Sequence, residues 1–340
     1  MKKSVILLTV AALCLSLFGC GDQREVLKVY NVGMYIDKST IDDFEKEYDI
    51  RVVYDEFNTN EEMYVKIAHN ENAYDIVVPS DYTIDRLIQE DRLAKINKEN
   101  IPNFEFIAPE YVSPEYDPGN DYVVPYMVGT LGILYNTTLV EEPVDSWYAL
   151  WDERYKGQIF MWDSMRDVIG PTLKMHGFSM NSEDDSQLAV VKERLIAQKP
   201  LVQAYVGDEI RDKMIAEEGA LALIYSGDAK TAIDENENLA YVIPKEGSNK
   251  WLDGFVVLKN TQHLAAAEKF INFMCRPDIA IRNMTETGYT SPIKEAWAEF
   301  GDNPVMFPTA EELDNCEPFL YSESATQKYS DIWTEIRATR

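Results

Sequence analysis

The amino-acid sequence predicts an α/β protein folded as two lobes, joined by two extended segments, with a binding cleft between them. Three observations carry the prediction. From residue 26 onward the spacing of apolar residues switches repeatedly between the period of two of a strand and the 3.6 of a helix. Two such alternating series are connected by extended apolar stretches near residues 130 and 255. About 320 residues remain after an N-terminal export segment, more than one simple core organises.

The first twenty residues, MKKSVILLTVAALCLSLFGC, have a basic start, an apolar middle and a small residue before the break. This is the pattern of an export signal, too short and too well flanked to be a membrane span. Leu17-Phe18-Gly19-Cys20 resembles a bacterial lipobox, in which the cysteine is acylated and becomes the new N-terminus. Residues 1–19 are therefore expected to be a lipoprotein signal peptide, Cys20 the lipidated residue, and 20–25 a polar tether. A secreted protein with an incidental cysteine is the other reading.

Residues 26–31 read as a strand. Thr40 with Asp43 reads as a capping box for a helix whose Ile41, Phe44 and Tyr48 share one face. A strand at 51–57, a helix at 61–69 and a continuous apolar strand at 74–78, of the kind buried on both faces, follow. Pro79-Ser80-Asp81 ends that strand, and 82–89 resumes helical spacing, completing a βαβαβ unit. After the turn cluster 117–121 the stretch 122–136 is apolar and extended, with Gly129 and Gly132 weakening a helix. The second series has strands at 158–162, 201–205, 220–225 and 239–243. Its helices are expected from about 167 and at 183–198, 208–218 and 228–235. Helices take over after 260. Lobe one is expected from 26–131 plus 254–296, and lobe two from 132–253 plus 297–340.

The formal charge is -27, and it becomes -29 once Lys2 and Lys3 leave with residues 1–19. So acidic a chain is a poor partner for nucleic acid or an anionic membrane surface, and it favours the approach of cations. No later apolar run approaches the roughly 20 residues of a membrane-spanning helix, so the body is expected to be soluble. The nucleotide, phosphate and zinc signatures G-x-G-x-x-G, G-x-x-x-x-G-K-[ST], H-E-x-x-H and C-x-x-C are missing. His69, His176 and His263 lie far apart, and no nucleophile with a base is marked. A binding protein without enzyme activity, cofactor or metal is the expectation. Cys275 and Cys316 leave a disulfide open in an exported chain.

The stretch 250–260, KWLDGFVVLKN, is the candidate site segment. A strand starting at Trp251 puts its indole and the Asp253 carboxylate on the same side. A ring beside a carboxylate suits a small organic cation. The same residues are also consistent with a core tryptophan and a turn aspartate before Gly254.

An ordered run of short motifs then carries a family resemblance. It comprises Val29-Tyr30-Asn31 with Met34-Tyr35, Tyr74 to Tyr82 (YDIVVPSDY), Pro125-Tyr126, Val144-Asp145-Ser146-Trp147, Tyr155-Lys156-Gly157, Ile243-Pro244-Lys245-Glu246-Gly247, Trp251-Leu252-Asp253, Arg276-Pro277-Asp278 and Gly288-Tyr289. In order and spacing these are similar to the periplasmic spermidine/putrescine-binding proteins of polyamine ABC importers. The resemblance implies a two-lobed, type II periplasmic-binding-protein-like fold, with two crossover strands as its hinge, that closes on a polyamine and delivers it to membrane permease subunits. It implies a cleft lined by Tyr35, Ser80, Tyr82, Asp167, Tyr225, Trp251, Asp253 and Tyr289. Asp228 resembles a carboxylate of the putrescine-preferring branch, while a helix N-cap fits it equally. Val32 and Gly33 stand where the family usually has tryptophan and a hydroxyl or acidic neighbour, and Ser164 stands where its spermidine-preferring branch has an aspartate. A different small cation or a metal complex is the alternative ligand.

Overall fold

The computed structural model describes residues 22–339, so the expected signal peptide and Cys20 lie outside the described residues. Nine strands among them are β1 (Glu25–Val32), β2 (Ile50–Phe57), β3 (Ile76–Val77), β4 (Val123–Asn136), β5 (Ile159–Trp162), β6 (Val202–Val206), β7 (Leu221–Tyr225), β8 (Leu239–Val242) and β9 (Lys250–Val257). They form one sheet in the order β2-β1-β3-β9-β4-β7-β5-β6, with β8 on β4. The helices that matter here are α1 (Lys38–Tyr48), α2 (Asn60–His69), α3 (Asp81–Gln89), α4 (Met165–Met175), α5 (Asp185–Gln198), α6 (Glu209–Ile215) and α7 (Ser226–Glu235). Of the later ones, α8 (Leu264–Met274) and α9 (Pro277–Thr287) precede the short α10 (Ala310–Leu313) and the last helix α11 (Glu323–Ala338).

The sheet is shared between the lobes through β4. Residues 123–130 of this strand pair antiparallel with β9, and residues 131–136 pair with β7 and β8. The switch falls between Thr130 and Leu131. Around β1, β3 and β9 the apolar residues form the first lobe, with Ile76 packed in the cluster on one face of the sheet and Val77 in the cluster on the other. That alternation is why 74–78 reads as a doubly buried strand, although only Ile76–Val77 holds ladder geometry. The second lobe's core gathers β5, β7, α4 and α5 together with Tyr329 and Ile336 of α11, both fully buried. Each such side chain stabilises the docking of α11 by roughly 1.5 to 3 kcal/mol.

Three expectations need correction, and the open disulfide question is answered. Helix α1 is capped by Asp37, whose side chain accepts from the Ser39 N–H, so Thr40 is not its cap. Thr40 lies inside the first turn and Asp43 pairs with Arg282 at 2.8 Å. The return passage between lobes precedes β9 instead of falling at 253/254, because Lys250 to Asp253 already pair with Met127 to Thr130 in the first-lobe part of β4. Residues 248–249 make that passage: Leu131 N donates to Asn249 O at 3.1 Å and Ser248 Oγ to Leu131 O at 2.5 Å. Trp297, Phe300, Met306 and Phe307 pack on the first lobe, so the chain leaves it after 307, not at 297. A third crossing near Glu317 pairs alongside Ser248 and Lys250. Cys275 and Cys316 are both buried free thiols and form no disulfide.

Candidate functional site

All nine sequence-selected residues line one cavity between the lobes, about 920 Å³ including its mouth. Strand β9 brings Trp251 and Asp253 to it on the same side, and both are more than nine-tenths buried. Tyr35 arrives from the loop after β1, and Ser80 and Tyr82 from the N-terminus of α3. Asp167 lies in the first turn of α4 and Asp228 in the first turn of α7. The cap of α7 is Tyr225, so Asp228 is not an N-cap residue. Three helices therefore aim their positive ends at the cavity, and each carries an aspartate in its first turn: Asp81, Asp167 and Asp228. Carboxylates so placed are favoured by the helix dipole and reverse its sign toward a ligand.

Aromatic rings make the walls, with Tyr126 packed behind Tyr35. Tyr126, Tyr35, Tyr289, Trp251, Tyr225 and Trp162 follow one another edge to face, with centroids 5.6, 5.1, 5.4, 6.1 and 5.0 Å apart. Two glycines make this approach possible. A Cβ on Gly129 would stand 2.5 Å from the Trp251 ring, and one on Gly227 2.3 Å from the Tyr289 ring. Hydroxyls from the walls orient the carboxylates: Tyr35 Oη donates to Asp253 Oδ2 at 2.8 Å, and Tyr289 Oη to Asp228 Oδ2 at 2.7 Å. Asn60 holds Ser80, accepting from its N–H and donating to its Oγ, both at 3.0 Å. Tyr82 Oη donates to Glu61 Oε1 at 3.2 Å.

Burial dominates the ionisation of these groups. It pushes Asp167, Asp228 and Asp253 up to about 6, against hydrogen bonds from Ser164 and Tyr225, from Tyr289, and from Ser80 and Tyr35 respectively. Asp81, buried near Asp253, is pushed well above the usual carboxylate range. Asp253 Oδ1 and Trp251 Nε1 are buried without a partner among the described residues. Each such orphan costs about 1 to 3 kcal/mol, more when charged, and a ligand that satisfies both recovers it.

Residue-by-residue reasoning from the sequence missed Asp81, Glu61, Asp208, Trp162, Arg166 and Phe319, which also line the cavity. Asp81 was legible from its place between Ser80 and Tyr82 at a helix start. Phe319 carried no signal, since the third crossing alone brings it to Tyr82, at 6.3 Å between ring centroids. Arg166 is 2% exposed, donates to Thr326 Oγ1 at 3.0 Å and stands 4.4 Å from the Tyr82 ring centroid. It is the single basic side chain lining the cavity among the described residues, against six carboxyl groups. No group of three or more His, Cys, Asp or Glu among the described residues could hold a metal ion. Carboxylates set among aromatic rings are suited to an organic cation.

Comparison with known proteins agrees with this architecture. Residues 39–308 match the model of the bacterial extracellular solute-binding protein family. The spermidine/putrescine-binding periplasmic protein of Escherichia coli is 32% identical over the full length of both chains. The spermidine/putrescine ABC transporter substrate-binding protein of Streptococcus pneumoniae superposes with a TM-score of 0.80 at 36% identity, covering 93% of this chain and 99% of that one. The Tp0655 lipoprotein of Treponema pallidum gives 0.82 at 26% identity, covering 92% and 99%. The chain belongs to the bacterial extracellular solute-binding protein family, in the group that contains the spermidine/putrescine-binding periplasmic proteins, and has the two-lobed type II periplasmic-binding fold.

Proposed function

We propose that this protein is the extracytoplasmic solute-binding lipoprotein of an ABC importer. It holds a polyamine, spermidine or putrescine, in the cleft and hands it to the membrane permease subunits. The observation that carries the ligand class is the charge balance of the cavity: six carboxyl groups and one guanidinium around a chain of aromatic rings. A polyamine is a flexible run of methylenes with ammonium groups at its ends, so it needs carboxylates at intervals and flat apolar walls between them. Tyr35, Tyr82, Tyr225, Trp251 and Tyr289 are the walls in this reading, Ser80 is a polar contact, and Asp167, Asp228 and Asp253 are the ammonium partners. The names of the relatives support the same ligand class.

The lipobox residues Leu17 to Cys20 support attachment through lipid on Cys20, as does the likeness to the Tp0655 lipoprotein of Treponema pallidum. No helix among the described residues is long and apolar enough to cross a membrane. Calorimetric titration of a Cys20→Ser form with putrescine, spermidine, neutral amino acids and metal chelates tests the ligand class. Saturable binding of at least one polyamine is expected. Binding of a non-amine alone would reject the polyamine and leave the fold assignment standing. Lipid labelling of the parent but not of Cys20→Ser tests the anchor, and equal labelling would refute it.

A further inference from the structure

Resting on the polyamine reading, we infer that Asp208 contacts the ligand and decides the affinity of the Asp228 end of the cleft, by restoring the negative charge that Arg211 removes there. Arg211, on α6, brings its Nη1 to 4.0 Å from Asp228 Oδ1, and the two side chains are only 16% and 14% exposed. Asp228 therefore meets a ligand with a cation already beside it. A close pair of that kind is nearly neutral at a distance and attracts a further ammonium weakly.

Asp208 changes the balance. Its carboxylate faces the same cavity, close enough to Asp228 to raise the proton affinity of that group. It occupies the N-cap position of α6 without making a capping hydrogen bond, so the helix start does not use its charge. It receives no side-chain hydrogen bond or ion pair among the described residues. Instead it crosses from the second lobe to the bare backbone of Gly33 on the first, where a Cβ would stand 3.5 Å from Asp208 Oδ2. The facing wall, Val32-Gly33-Met34, brings no charge of its own. A side chain longer than methyl at position 33 would compete for the space that the carboxylate takes.

The other charges nearby are already engaged. Glu56 pairs with Lys38 at 2.9 Å, Asp212 with Arg211 at 3.4 Å, and Glu209 Oε2 accepts from Gly207 N at 3.2 Å. Asp208, Asp212 and Asp228 against the one guanidinium of Arg211 leave an excess of negative charge at this end, and Asp208 carries the part of it that lines the cavity unpaired among the described residues, where an ammonium can meet it. The other end shows the same incompleteness, since Asp253 Oδ1 and Trp251 Nε1 lack partners among the described residues while their side chains line the same cavity.

The test is calorimetric titration of putrescine and spermidine into the parent, Asp208→Asn, Arg211→Gln and the double variant. Asp208→Asn should weaken both amines about ten- to a hundredfold, with the ligand-free melting temperature unchanged, because asparagine is an equally good N-cap residue. Removing Arg211 in the Asp208→Asn background should recover most of that loss. Parental affinity in Asp208→Asn would take the residue out of the site. A loss that Arg211→Gln does not relieve would overturn the charge-balance account. A parent that binds neither amine would instead reject the polyamine reading itself, and this inference with it.

Discussion

Replacing Asp253 with Asn should separate binding from folding. In the ligand-free protein Tyr35 Oη can still donate to the amide oxygen where it now reaches Asp253 Oδ2 at 2.8 Å, so the hydrogen bond survives. The buried carboxyl is pushed up to about 6 by its surroundings, and keeping it ionised at pH 7.5 costs the folded state roughly 2 to 3 kcal/mol. The neutral amide lifts that cost. The melting temperature of ligand-free Asp253→Asn should therefore equal or exceed the parent's. Binding should suffer, because Asp253 Oδ1, unpartnered in the cavity wall, is the oxygen offered to a ligand ammonium. Breaking a buried charge pair costs about 3 to 5 kcal/mol, which is two to three orders of magnitude or more in affinity. Differential scanning fluorimetry and calorimetric titration of one preparation give both numbers. A fall in melting temperature with near-parental affinity for putrescine and spermidine would make Asp253 a structural residue and refute the reasoning.

Trp251→Leu removes a ring contact without a charge, so affinity should fall only about tenfold; a loss equal to that of Asp253→Asn would contradict the ranking. Gly227→Ala drives a methyl into the Tyr289 ring, so Tyr289 must move from Asp228, with roughly 1 to 3 kcal/mol lost in chemical denaturation and weaker binding. An unchanged denaturation midpoint would mean that the ring yields freely. Asp167, Asp228 and Asp253 each ionise near 6 when folded and near 3.8 otherwise, so the folded state binds more protons in that window. Ligand-free stability should accordingly rise as the pH falls from 7.5 to 5, whereas polyamine affinity should drop about tenfold for each carboxylate that must ionise. Affinity independent of pH across this range would show that these groups do not meet the cation. Solution scattering should show compaction on saturation with spermidine, since the cavity lies between lobes joined by β4, residues 248–249 and the crossing near Glu317. Identical profiles would argue against closure.

The sequence by itself determined the α/β class, the two alternating series and the long extended segment that became β4, because hydrophobic periodicity is a local signal. It also marked Trp251 and Asp253, since a strand's period of two fixes which residues share a face. What it could not give was any placement that depends on distant segments meeting. The cap of α1 is Asp37, chosen because Asp37 and Asp43 both meet Arg282 from a helix more than two hundred residues away. The return between lobes sits before β9 because Lys250 to Asp253 are claimed by the first-lobe part of β4. The third crossing, which carries Phe319 to Tyr82, has no local pattern at all. Charge balance in the cleft is likewise tertiary: Asp208 and Arg211 lie three residues apart in sequence, but only the folded lobes set one beside Gly33 and the other beside Asp228. Local periodicity follows from backbone geometry, whereas desolvation and pairing arise only when chain segments far apart in sequence share one enclosed space.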